Sequence, residues 1–459
     1  MRRVPLRVGS LFAYDWDADA FARLAAERGI RFDHAGFDLF AFPSNAALAW
    51  YDVRRFAARQ AARGRRLGWR AVLSHQEQFG VVAAALVAEQ LKLPGTPVEA
   101  VLAIQHKLHM RRLMQQAAPE ANLHAELLPC EYGDEIPEGL AYPRYVKPVR
   151  AGYSVLARAV RNRAELQAHT RFSWRELWVI ERLVESFEVV RRERLPEAGP
   201  AHRMMLEEPI PPATPQFNLD GWVFGGEVHA LGVVDAVMYP GSQAFMRWET
   251  PSRLSAAVQA RALDVARRFL AAAGFTHGFF NMEFFFDAAS GRLAVIEFNP
   301  RLASQFGDLY RRTLGVCAHE MSLALALGED PRSVPRQAPL AGVAASFVYR
   351  WFDPAVPPPR EPGAPARAAL AATMPDALLL TFPKSGHGLA REYKWLGSHR
   401  YGIVHLGGRD EAHLRARCER ASALLGWPAP YAAAPPHGEQ PMPAQTPAQT
   451  PALQTSGVN

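Results

Sequence analysis

Two apolar stretches of this chain carry carboxylates in their midst. Gly278-Phe-Phe-Asn-Met-Glu283-Phe-Phe-Phe-Asp287 is followed by Arg292-Leu-Ala-Val-Ile-Glu297-Phe-Asn299-Pro300-Arg301. Both read as strands, and Ala288 to Gly291 supplies the turn of a hairpin. That pairing puts Glu283 opposite or nearly opposite Glu297, and Asn299, two residues on, shares the face of Glu297. Carboxylates that face each other on apolar strands repel, and burial enlarges the cost. A hard divalent cation removes the repulsion. Oxygen ligands from Glu283, Glu297 and Asn299 suit magnesium, with manganese as the alternative and phosphate oxygens completing the shell. The bland alternative is an edge hairpin with surface glutamates. Arg301 follows Pro300, where the strand must end. A guanidinium there can hold a carboxylate or oxyanion in bidentate fashion, or it is a surface arginine.

Lysine is scarce: Lys92, Lys107, Lys147, Lys384 and Lys394 are the whole set, and arginine supplies the other positive charge. Lys107 lies in His106-Lys107-Leu-His-Met-Arg111, and Lys147 in Tyr145-Val146-Lys147-Pro148. Arg150-Ala151-Gly152-Tyr153-Ser154 and Glu207-Glu208-Pro209-Ile210 follow in order. Together with Glu283 and Glu297-Phe298-Asn299-Pro300-Arg301, this succession resembles the ATP-grasp superfamily over about residues 1–330.

The resemblance implies an α/β chain with the ATP-grasp fold, two α+β subdomains clasping ATP. A small parallel-sheet α/β domain precedes it and a C-terminal α/β segment follows. The expected units are 1–105, 106–205 with a lid, 206–330 with the metal site, 331–427, and a disordered tail 428–459. The resemblance assigns Lys107 and Lys147 to the ATP phosphates. Gly152 and Ser154 fall in a loop closing over the phosphates through backbone N–H groups. Glu207, Glu208 and Ile210 form the hinge at the adenine edge, with Glu207 near the exocyclic amine. Magnesium falls to Glu283, Glu297 and Asn299, and the catalytic roles to Arg301 and Lys147. A further likeness to carboxylate–amine ligases that join amino acids implies a reaction. ATP phosphorylates a carboxylate, and an amine attacks the acyl phosphate to give an amide, with ADP and phosphate released. A phosphotransferase on the same fold and a non-catalytic nucleotide-binding protein are the alternatives. The chain departs from the family pattern at His106, at Arg247-Trp248, and across Leu302-Ala-Ser304-Gln305-Phe306-Gly307. Arg247, Trp248, Ser304 and Gln305 either meet substrate or play local structural roles.

The elements that must carry these residues follow from periodicity. Residues 1–97 alternate strand-like and helix-like segments, the rhythm of a small parallel sheet. Val98 to Ala117 reads as one helix, Tyr142 to Val149 as a strand, and Trp174 to Val190 as a helix. An exposed loop is expected from Arg191 to Arg203, and the arginines from Arg150 onward read mostly as a solvated face. Phe217 to Phe224 and Glu227 to Ala236 are strands joined by Gly225-Gly226. Tyr239 to Pro251 reads as a loop, and Ser252 caps a helix ending at Gly274. Leu378 to Thr381 and Tyr401 to Leu406 read as strands before a helix from Arg409 to Leu425. The segment Trp395 to Gly402 looks ordered without an assigned chemistry.

Composition bounds the rest. The 459 residues suggest two to four domains, and 49% apolar with 21% charged residues is ordinary for a globular protein. The net charge of +7 suits anionic small molecules. No basic and aromatic residues interleave as in a nucleic-acid module, so no nucleic-acid partner is expected. The longest apolar run, Val81 to Ala88, is too short to span a bilayer, and no membrane partner is expected. Cys130, Cys317 and Cys418 form no CxxC, and the histidines show no metal-ligand spacing. A cytoplasmic protein acting on a small carboxylate and amine, amino acids foremost, is the expectation; a homodimer is compatible with it.

Overall fold

The computed structural model describes residues 5–39, 44–152, 156–211 and 214–431. The chain opens with three short strands, β1 (Arg7–Leu11), β2 (Arg31–Ala35) and β3 (Ala71–Leu73), parallel in the order β2-β1-β3. β3 is Ala-Val-Leu and buried throughout, as a strand covered on both faces requires. Parallel strands end at the same edge of their sheet. Tyr14 to Trp16 after β1 and Ser74 to Gln78 after β3 therefore emerge together, at the edge where open α/β sheets take ligands.

The helix expected over 98–117 is two helices, Val98–Gln105 and Lys107–Ala117. His106 breaks it in an extended conformation, and its Nδ1 accepts the His109 amide at 3.1 Å. Lys107 thus begins a helix, where unpaired amides and the dipole favour an anion. Its own amide donates to the Val149 carbonyl at 3.0 Å, tying this helix end to the next sheet.

That sheet is antiparallel: β4 (Ala125–Leu127), β5 (Arg144–Pro148), β6 (Arg158–Val160) and β7 (Met204–Glu207), in the order β4-β7-β5-β6. The helix Trp174–Arg194 packs beside it, capped by a reciprocal Ser173–Glu176 box. It runs four residues past the expected end because Arg191 is buried and pairs with Glu188 at 2.8 Å. Arg150 is also buried, so these two arginines are structural and do not belong to a solvated face.

The third sheet has eight strands. They are β8 (Gln216–Phe224), β9 (Glu227–Met238), β10 (Phe245–Thr250), β11 (Gly278–Asp287), β12 (Arg292–Asn299), β13 (Val343–Trp351), β14 (Leu378–Thr381) and β15 (His399–Gly408). Their order is β12-β11-β8-β9-β10-β13-β15-β14, antiparallel throughout. Two expectations change here. Residues 239–251 are not one loop, because β10 pairs with β9 and β13. The stretch after residue 331 builds no sheet of its own, because β13 bonds to β10 and brings β14 and β15 into the same sheet. The helix expected from Ser252 is Ala256–Ala272, capped by Ser255; the Ser252 hydroxyl is engaged by Asp235. Residues 432–459, most of the expected tail, lie outside the described residues.

A buried clasp joins the first unit to the helix Ala318–Leu327. Asp17 Oδ1 accepts from His75 Nδ1 at 2.9 Å and His319 Nε2 at 3.0 Å, and His75 Nε2 meets Ser322 Oγ at 2.8 Å. Sequence spacing hid this cluster, since Asp17 and His319 are 302 positions apart. No described helix is long and apolar enough to cross a membrane.

Candidate active site

The β11–β12 hairpin places Glu283 directly opposite Glu297 and Asn281 opposite Asn299. Cross-strand partners share a face, so β8 adds Asn218 and Asp220 to the same surface through their pairing with Glu283 and Asn281. A chain of side-chain hydrogen bonds orders it. Tyr310 Oη donates to Asp220 at 2.6 Å, and Asn281 Nδ2 donates to Asp220 at 3.0 Å. Asn299 Nδ2 donates to Asn281 at 3.1 Å and to Glu283 at 3.3 Å, while Gln216 Nε2 donates to Glu283 at 3.0 Å. Burial, and then the charge of Glu297, pushes the Glu283 carboxyl up to about 7. Burial acts on Glu297 too, but Lys107 and Lys147 outweigh it and hold that carboxyl below its usual range.

Two partly buried carboxylates in register, one of them held up near neutrality, form an oxygen-only donor set. Such a set fits a hard divalent cation, with the Asn299 carbonyl oxygen as a neutral third donor. Lys107 reaches into this group and pairs with Glu297.

Lys147 is 3% exposed and pairs with Glu207 at 2.8 Å. Arg111 takes the other side of Glu207, its Nε donating at 2.7 Å. The same guanidinium donates to the Val295 and Ile296 carbonyls, each at 2.7 Å. Lys107 and Arg111, one helical turn apart, thus tie the helix, β7 and β12 into one wall. Burial pushes Lys147 down to about 8, and Arg111 and Lys107 add to that against the pull of Glu207. Burial would raise Glu207, yet Arg111 and Lys147 keep its carboxyl low. The Glu207 side chain is therefore engaged with two cations and does not present an open carboxylate to a base. Glu208, in contrast, faces Arg292 near the surface, and Ile210 is half-buried in the irregular linker between the two antiparallel sheets.

Glu77 escaped the sequence reading. It sits in the buried polar run Ser74-His-Gln-Glu-Gln78 straight after β3, and that run was the available signal. Gln105 Nε2 donates to Glu77 Oε1 at 2.6 Å, and Arg301 Nε approaches Glu77 Oε2 at 3.2 Å. Arg150 donates to the carbonyls of Glu77 and Gln78 at 2.8 and 3.0 Å. Gly152 lies over the same pair, since a Cβ there would meet Gln78 and Glu77 at 3.6 Å. The loop expected to close over phosphates is thus rooted on the first unit. Ser154 lies outside the described residues, as does Tyr153.

The residues of uncertain role resolve in different ways. Arg247 pairs with Glu249 at 2.5 Å and lies 4.2 Å under the Tyr431 ring, which accounts for its charge locally. Trp248 lies on the other face of β10, opposite Ala236 and Ser346, and packs on Phe306. Ser304 accepts from Trp16 Nε1 at 2.8 Å, and Gln305 donates to Ser346 at 2.9 Å.

Neither a protein-family model nor a curated protein matches the sequence. Solved structures do match the fold. The chain is similar to the L-amino acid ligase from Bacillus licheniformis, with TM-score 0.63 and 16% identity, covering 92% of this chain and 98% of that one. It is similar to biotin carboxylase from Campylobacter jejuni, solved with β-γ-ATP, at TM-score 0.60 and 16% identity over 91% of each chain. N5-carboxyaminoimidazole ribonucleotide synthetase from Thermus thermophilus matches at TM-score 0.58 and 18% identity, over 91% of this chain and 98% of that one. With a parallel three-stranded sheet leading into two antiparallel sheets that meet at Lys107, Lys147 and Glu297, this chain has the ATP-grasp fold.

Proposed function

We propose that this protein is an ATP-dependent carboxylate–amine ligase that forms an amide or peptide bond through an acyl phosphate. The observation that carries this reading is the convergence of Lys107, Lys147 and Arg301 on the Glu283–Glu297–Asn299 face. Similarity to an L-amino acid ligase, together with the ligase-like sequence pattern, supports amino acids as the substrates.

Glu283, Glu297 and Asn299 would hold magnesium, which would stabilise the negative charge of the transferring phosphoryl group. Lys147 and Lys107 bind phosphate oxygens, and the Lys107 helix N-terminus adds backbone donors. Arg301, steadied by Glu77, orients the acid's carboxylate for attack on the γ-phosphorus, where the new O–P bond forms as the bond to the β–γ bridging oxygen breaks and ADP leaves; it afterwards faces the oxyanion of the tetrahedral intermediate. The amine nitrogen then bonds to the acyl carbon, the C–O bond to phosphate breaks, and the nitrogen loses a proton to solvent.

The experiment is a panel of amino and carboxylic acids, scored for released nucleotide and for product mass. ADP together with an amide mass is expected. AMP would defeat the acyl-phosphate route, and a phosphorylated product without an amine requirement would make the protein a phosphotransferase.

Two further results are expected. Arg301→Met lowers kcat by about 10²-fold, as loss of one preorganised oxyanion donor does, while KM for MgATP stays within about twofold. A change in KM for MgATP alone would move Arg301 to the nucleotide. Second, Lys147 must be charged to hold phosphate, so kcat/KM for MgATP falls as pH rises through about 8, the value to which burial brings this amine. Lys147→Arg shifts that alkaline limb upward, because a guanidinium stays charged. A limb that persists at the same pH in the variant assigns it to another group.

A further inference from the structure

An asparagine meets a cation through its amide oxygen, and a half turn of the amide puts the NH2 group in that place instead. For Asn299 the choice is made behind the metal face. Asn281 on β11 stands opposite Asn299 on β12 and, on its other side, opposite Asp220 on β8. These three residues and Tyr310, from the helix Gly307–Leu314, are each at most 4% exposed.

Hydrogen-bond polarity runs one way along this row. Tyr310 Oη donates to Asp220 Oδ2 at 2.6 Å, and Asn281 Nδ2 donates to Asp220 Oδ1 at 3.0 Å. The same NH2 group donates to Asn218 Oδ1 at 3.4 Å. With its NH2 committed to two acceptors, Asn281 turns its oxygen to Asn299. Asn299 Nδ2 donates to that oxygen at 3.1 Å and to Glu283 Oε1 at 3.3 Å. Both N–H bonds of Asn299 are then used, and its Oδ1 is the atom left for a cation. Inverting one amide would set NH2 against NH2 or oxygen against oxygen in a buried place, so the row holds its direction as a unit. Burial raises the Asp220 carboxyl to about 7, while Tyr310, Asn281 and Arg301 act against it. Either protonation state keeps the direction. A neutral acid still accepts through its carbonyl oxygen, and the Tyr310 hydroxyl has the Gly232 carbonyl at 3.5 Å as another acceptor.

We infer that Asp220 and Asn281 are positioning residues for the metal: Asp220 sets the direction of the row, and Asn281 passes it to Asn299, which thereby presents oxygen to the cation. This rests on the reading of Glu283, Glu297 and Asn299 as the magnesium site. It adds two residues that act through Asn299 and are not themselves ligands.

The test is magnesium titrated calorimetrically into the full chain saturated with ADP, with ADP affinity in EDTA as the measure of an intact fold. Asp220→Leu and Asn281→Leu each weaken magnesium about tenfold, as loss of a partner behind a metal ligand does, and leave ADP affinity in EDTA unchanged. If one of the two fails to bind ADP in EDTA, the other decides. Asp220→Asn keeps most of the magnesium affinity, because its amide can still give an oxygen to Asn281 and its NH2 to Tyr310 Oη. Wild-type magnesium affinity in a folded Leu variant overturns the inference. So does a loss in Asp220→Asn as large as in Asp220→Leu, which would make the charge of Asp220, and not its acceptor, the cause. Glu297→Gln separates this from the metal reading. If it binds magnesium as wild type does, the metal face itself is wrong; if it loses magnesium while the Leu variants keep it, only the role of Asp220 and Asn281 falls.

Discussion

Glu297→Gln is expected to lower ADP release by about 10³-fold at saturating substrates, the upper end of what one preorganised electrostatic group contributes. Glu297 faces Glu283 across the hairpin and also pairs with Lys107, so one side chain joins the cation site to a phosphate-binding lysine. The amide keeps the shape and removes the charge. Two effects on the unliganded protein then oppose each other: the repulsion with Glu283 goes, and so does the attraction to Lys107. Stability should therefore change by less than about 1 kcal/mol, the range of a partly exposed ion pair. With its anionic neighbour gone, the Glu283 carboxyl moves down from about 7. Turnover measured against magnesium concentration, beside a melting curve, checks all of this. Near wild-type turnover at ordinary magnesium would remove Glu297 from the metal site. Lost turnover with a large fall in melting temperature would make the residue structural.

Glu207→Ala should have the largest effect on stability, a loss of about 3–5 kcal/mol, the usual cost of breaking a buried ion pair from one side. Glu207 is 2% exposed and lies between Lys147 at 2.8 Å and Arg111 at 2.7 Å. Removal leaves two cations in a wall that water does not reach. The pH dependence has a definite sign. Glu207 is held below its unfolded pKa, so its contribution is full above the unfolded value and is lost as pH falls through the folded one. Lys147 adds a slope of the same sign at higher pH: its folded value of about 8 lies under 10.5, so stability rises as pH climbs between the two. Glu207→Gln should cost less than the alanine change, and adding Lys147→Met to Glu207→Gln should recover part of the loss, because neighbours in one network do not add. Urea denaturation of the four proteins decides. A loss under about 1 kcal/mol for Glu207→Ala would mean the group is solvated in solution.

The local half of this site was legible in the chain alone. Strand alternation and a short turn leave a hairpin little choice of register, because a one-residue slip would turn Phe280, Met282 and Phe284 out of the core. Glu283, Glu297 and Asn299 could therefore be placed together from residue spacing. The order of the lysines and the hinge carried the fold family, which is a property of succession along the chain.

Whatever depends on side chains far apart in sequence was settled by long-range packing. Glu77 and Arg301 meet across the join between the first sheet and the third, and no periodicity encodes that contact. Glu207, expected from the resemblance near the adenine edge, is the anion between Lys147 and Arg111, because β7 and the helix carrying Arg111 pack together. β10 is a six-residue strand held between β9 and β13, distant partners that no local periodicity announces, so a loop reading was natural for residues 239–251. The β10–β13 pairing, with β13 bonded in turn to β15, draws the C-terminal strands into the large sheet. Local sequence fixes which face a side chain takes; long-range pairing fixes which other side chains it meets, and here it decides how the charges of Glu77, Glu207 and Glu297 are balanced.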